Sequence, residues 1–131
     1  MIKEFRSGKN VIALLIDASD AEDETRPLTH PSWPLQALMI KRLKGHVFAK
    51  HAHKDIPRAS TSLQEAIVVQ KGKLAITICE RNGTDVADVE VRAGQVLFLV
   101  NGGYRVEVVE DVLFYEFKNG PHVDDKVMLG D

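Results

Sequence analysis

Between residues 63 and 117 the chain is a series of short alternating apolar runs, each cut off by a glycine-bearing or acidic turn. That rhythm constrains the fold more than any other feature. Apolar and polar residues alternating with a period of two mark a half-buried strand. The runs cover residues 63–69, 73–80, 86–91, 96–100, 104–109 and 112–117. Their separators are Lys71-Gly72, Arg81-Asn82-Gly83-Thr84, Ala93-Gly94, Asn101-Gly102-Gly103 and Glu110-Asp111. Asn82-Gly83 between two such runs is a hairpin signal, because both residue types tolerate the positive φ of a tight turn. Strands this short, at such regular spacing, predict a sandwich or a barrel.

Upstream the pattern is looser. Residues 11–16 form a short apolar run, a candidate to pair with a second copy across a two-fold axis. Residues 17–34 read as a polar connection with an acidic cluster (Asp17, Asp20, Glu22, Asp23, Glu24) and three prolines, Pro27, Pro31 and Pro34. Residues 36–43 and 45–53 read as two further strands, and 54–62, with Pro57, as a loop. A helix over 35–43 is the alternative there, but it lacks a clear cap. The tail from Asn119 is polar and reads as loosely held. The expectation is one all-β domain over residues 1–131, a β-barrel of jelly-roll type. Its barrel core spans about 35–118, after an N-terminal strand and loop at 1–34 and before a tail at 119–131.

Composition removes several functions. The net charge of −2 lacks the basic footprint of a nucleic-acid binder. No apolar run approaches the roughly 18 residues of a membrane span. The opening Met1-Ile2-Lys3-Glu4-Phe5-Arg6 lacks the apolar core of a signal peptide, so a cytoplasmic protein is expected. A single cysteine, Cys79, excludes an internal disulfide framework and reads as a structural thiol.

The segment 45–53 carries the candidate chemistry. His51 and His53 stand one residue apart. In a strand they share a face, about 6–7 Å apart, where two imidazoles can hold one metal ion or flank one small ligand. His46 falls on the opposite face of such a strand, and His30 and His122 sit in loops without partner spacing.

Gly45, five residues, His51-Ala52-His53, then Glu65, six residues and Gly72, resembles the first motif of the cupin family. The spacer between His53 and Glu65 is eleven residues, where three or four are usual in the family. Gly94 and Gly102 match the second motif. Val100 replaces its proline, and Arg105 stands where its last histidine belongs. Further runs, His53-Lys54-Asp55-Ile56-Pro57-Arg58, Gly102-Gly103 and Glu116-Phe117-Lys118-Asn119-Gly120-Pro121, resemble a group of small bacterial single-domain cupins often found near polysaccharide genes. That group carries a histidine straight after the double glycine, at the position of Tyr104.

The resemblance implies a metal site of His51, His53 and Glu65 for Fe, Mn, Ni or Zn, with a metal-free pocket as the alternative. Tyr104 stands where the look-alike group places a ligand or catalytic imidazole, Glu107 reads as a barrel-lining or edge carboxylate that can join it in catalysis, and Arg58 reads as a clamp for an anionic ligand. Of Tyr104 and Arg105 only one can face the pocket, and the alternation leans to Tyr104. The expected activity is isomerisation or epimerisation of a sugar or sugar-nucleotide-derived metabolite, with dioxygenation open to the same ligand set. Two alternatives stand beside it. One is a metal-free ketoisomerase of sugar nucleotides, in which the paired histidines act as acid and base. The other is a ligand-binding or regulatory cupin without chemistry. The expected partners are a small molecule and a second copy of the chain, with neither nucleic acid nor membrane.

Overall fold

The alternating rhythm becomes strands in the computed structural model, which describes residues 1–130. In chain order these are β1 (Ile2–Ser7), β2 (Asn10–Asp17), β3 (Thr25–Pro27), β4 (Leu38–Ile40), β5 (Glu65–Lys71), β6 (Lys73–Cys79), β7 (Asp85–Arg92), β8 (Gln95–Leu99), β9 (Gly103–Val108) and β10 (Leu113–Lys118). Among the described residues the only helical element is one 3-10 turn, Ala18–Asp20. The Asp17 side chain caps it by accepting from the Ser19 N–H at 2.8 Å. The protein is therefore all-β, as the sequence predicts.

A five-stranded sheet runs in the order β1-β2-β8-β5-β10, and a three-stranded sheet in the order β7-β6-β9. Their facing sides make the main core. Phe5, Ala13, Ile67, Val69, Leu97 and Leu99 come from the larger sheet. Leu74, Ile76, Ile78 and Val91 meet them from the smaller one. Ile67, Leu74, Ile78 and Leu97 are wholly excluded from solvent, each stabilising the sandwich by about 1.5–3 kcal/mol through burial. The larger sheet also has a buried second side. Leu14, Ile16 and Phe98 lie there under Leu28, Trp33, Leu35, Ala37 and Met39. The loop between β3 and β4, with Met39 of β4, forms that cover.

Turn chemistry sets the connections. The β6–β7 hairpin closes at Asn82-Gly83, where the Gly83 N–H donates to the Glu80 carbonyl at 2.9 Å and Gly83 has φ 91°. Gly72, between β5 and β6, has φ 77°, and a β-carbon there would stand 2.2 Å from the Asp111 carbonyl oxygen. Only glycine fits that crossing.

Several expectations need correction. The sheets are not closed into a barrel. Residues 45–53 do not form a strand, and all of them are exposed. A strand exists only in a ladder, and this segment pairs with none; with His46, Phe48 and Lys50 alternating against Val47, Ala49 and His51, neither face is apolar enough to demand burial. The strand expected over 36–43 shrinks to Leu38–Ile40 and pairs with Thr25–Pro27, inside what reads as a loop. The run at 11–16 is no edge: β1 covers it on one side and β8 on the other. It cannot be the strand that pairs across a two-fold axis. The tail, exposed over residues 120–130, rests on the body at Leu129, which packs on Gly83 and Gly103.

Candidate functional site

At one end of the gap between the sheets, β9 and β10 are both edge strands. The side chains that converge there are Tyr104, Glu65 and Glu116. Each is placed by the register of its strand. On β9, Tyr104 pairs with Ile78 and Val106 with Ile76, so Tyr104 faces the core side of the smaller sheet. Glu65 alternates with Ile67 and Val69, which puts its carboxylate on the core side of β5, at the strand's first residue. Glu116 sits beside Ile67 on β10, in phase with Phe114, which packs on the same core.

The Tyr104 hydroxyl donates to Glu65 Oε2 at 2.5 Å, and Glu116 Oε1 lies 3.4 Å away. The first is a short, charge-assisted bond. Burial pushes the Tyr104 phenol well above its ordinary range, and the bond to Glu65 and the charges of both glutamates push it further. Tyr104 is therefore a hydrogen-bond donor at every working pH. A phenolate ligand role, which would need a lowered phenol pKa, runs against this electrostatics.

No family model matches the chain, and neither the curated proteins nor the solved structures offer a match. The site stands on its own geometry.

That geometry brings together only some of the residues read from the sequence. Glu65 and Tyr104 meet. Glu107 and Arg105 point to the opposite side of β9, where they pair at 3.5 Å in solvent. Glu107 is thus away from the Tyr104 hydroxyl, and Arg105 does not face the gap. Arg58 is exposed in the irregular stretch. His51 and His53 stay near each other, rings 5.5 Å apart and edge to face, with His51 Nδ1 2.7 Å from the Ala49 carbonyl oxygen. They do not meet Glu65: among the described residues no group of three or more His, Cys, Asp or Glu side chains stands close enough to hold a metal ion. His46 packs its ring on Phe48 at 4.6 Å. Trp33 is a packing residue, stacked on Phe98 at 6.0 Å and 20°.

Glu116 is the member that sequence reasoning missed. Its signal was present: between Phe114 and Lys118 it takes an inward phase once Phe114 is read as core. The exposed Tyr115 and Phe117 on alternate positions masked that phase. Among the described residues no helix is long and apolar enough to cross a membrane.

Proposed function

We propose that the chain is a small-molecule-binding protein of cupin type, with its site in the gap lined by Tyr104, Glu65 and Glu116. The observation that carries this reading is the tyrosine hydroxyl held between two carboxylates at the open end of a two-sheet core. Polar groups of this kind, convergent on one point and backed by apolar packing, are the usual makings of a ligand site.

The jelly-roll barrel belongs to the same proposal. β9 has a free edge, and residues 45–53 are an unpaired, exposed segment long enough to lie along it. Nine residues reach about 30 Å, more than the six residues of β9. Docked there, the segment closes that side of the sandwich and carries His51 and His53 toward Glu65. Two imidazoles and a carboxylate suit Fe, Mn, Ni or Zn. In the conformation described the three do not meet, so the metal belongs to the docked state alone. A metal held there would polarise a carbonyl oxygen.

The chain's own residues supply the rest. The Tyr104 hydroxyl stays protonated, and to bind a ligand it turns its one O–H from Glu65 to a ligand oxygen. Glu65 and Glu116 accept, and either can take a proton from a carbon beside a carbonyl. That pairing suits isomerisation or epimerisation. The substrate class, a sugar or sugar-nucleotide-derived metabolite, rests on the resemblance alone.

A second reading without metal is favoured by the 2.5 Å Tyr104–Glu65 bond, which already satisfies one carboxylate oxygen. Elemental analysis of protein purified without chelator or histidine tag separates the two. Up to one transition metal per chain is expected, removed in His51→Ala, His53→Ala and Glu65→Gln variants that keep their circular dichroism. Protein that stays empty after incubation with Fe(II), Mn(II), Ni(II) and Zn(II) leaves the metal-free reading.

A further inference from the structure

A second hollow, sharing no lining residue with the Tyr104 gap, opens among the turns at one end of the sandwich. It has a volume of about 520 Å³ and runs between the β1–β2 turn, the loop at Trp33, the β6–β7 turn and the β8–β9 turn. Lys9, Asn10, Trp33, Gln64, Arg81 and Asn101 line it. A smaller hollow of about 290 Å³ adjoins it and shares Asn10, Arg81 and Asn101.

The chemistry of the walls is uneven in a telling way. Both charged residues of the larger cleft, Lys9 and Arg81, are cationic. A carboxylate, Glu80, lines the smaller hollow, where it accepts from the Ser7 hydroxyl. Arg81 Nε donates to Asn101 Oδ1 at 2.9 Å, which holds the guanidinium while leaving its other N–H groups for a ligand. Gln64 is only 4% exposed. Its amide makes two long bonds, accepting from the Leu35 N–H at 3.3 Å and donating to the Val100 carbonyl at 3.4 Å, so one N–H remains. Trp33 and Pro34 add an apolar wall, with Phe98 stacked against the indole.

We propose that this cleft binds a sugar unit carrying an anionic substituent, a carboxylate or a phosphate. Neutral amides suit ring hydroxyls, an indole beside a proline suits the C–H face of the ring, and an arginine with a lysine suits the acid. The size falls in the ordinary range for a small-ligand site, about 300–1,000 Å³. The cleft is separate from Glu65 and uses no residue of the 45–53 segment, so it stands whether or not the proposed function does.

Trp33 is the chain's only tryptophan, so the tryptophan fluorescence comes from a residue in the wall of this cleft. The protein is titrated with glucuronate, glucose 1-phosphate, glucose and inorganic phosphate. A saturable change with glucuronate or glucose 1-phosphate is expected, and the better of the two names the acidic group. Arg81→Gln and Lys9→Gln, each with unchanged circular dichroism, should weaken it at least tenfold, while His51→Ala leaves it unaltered. The proposal is overturned if neither acidic sugar binds, if glucose or phosphate alone binds as tightly, or if both cation variants bind like the parent.

Discussion

At Tyr104 a phenol occupies a place where its proton cannot leave cheaply. Ionising it would put a third negative charge against Glu65 and Glu116 in a half-buried gap. The consequence for stability has a definite sign. A phenol raised in the folded state keeps its proton where the unfolded chain gives it up, so its contribution is intact below the ordinary tyrosine pKa of about 10 and is lost as pH rises beyond it. Urea midpoints measured from pH 8 to 11 should therefore fall at the alkaline end, and Tyr104→Phe should flatten that fall. The same variant should cost about 1–3 kcal/mol at pH 8, because it leaves two carboxylates without their shared donor. An alkaline limb identical in both proteins would mean the hydroxyl is not bonded as described. The inward direction of Tyr104 was only half legible in the sequence. Val106 and Val108 share its side of the strand, while Arg105 shares the other with Glu107 and Val109, so neither side is purely apolar. The register against Ile78 and Ile76 on β6 decides it, and register between strands is not written in either strand alone.

Among the elements, those with a clear apolar alternation were readable and those without one were not. The β5–β10 stretch follows the alternating runs, because turns at Gly72, Asn82-Gly83, Gly94 and Gly102-Gly103 punctuate it. Gly72 offers a direct check. Its positive φ costs any other residue about 1–2 kcal/mol, and the Asp111 carbonyl leaves no room for a β-carbon. Gly72→Ala should lower the denaturation midpoint by more than Gly94→Ala, since Gly94 shares the positive φ but has open space around it. β1 was missed because Ile2-Lys3-Glu4-Phe5 buries only Phe5, as an edge strand with one covered side does. The 45–53 segment was read as a strand from its alternation, yet it lies outside every ladder. If it docks on β9, hydrogen exchange will register it: adding Zn(II) or Fe(II) should slow exchange at residues 45–53 and along β9 while leaving β7 unchanged. Uniform exchange with and without metal would remove the docked state.

For the molecule as a whole, the all-β class was legible and closure was not, because closure depends on what covers β9 and β10. The outer side of β10 leaves Tyr115 51% and Phe117 58% exposed, side by side on an edge strand. Exposed aromatics on a free edge invite a second copy, since an antiparallel edge pairs with itself across a two-fold axis. Light scattering at high micromolar concentration should give the mass of a dimer, and Phe117→Lys should return it to a monomer; a monomer mass for the parent protein counts against the pairing. The start of β9 offers a timer rather than an interface. Cys79 is buried and its thiol is pushed upward by desolvation, with its sulfur against Gly103 where Leu129 also rests. An alkylating reagent can reach that buried sulfur only when the structure around it opens, so the labelling rate of one thiol counts those openings, the lifting of Leu129 among them.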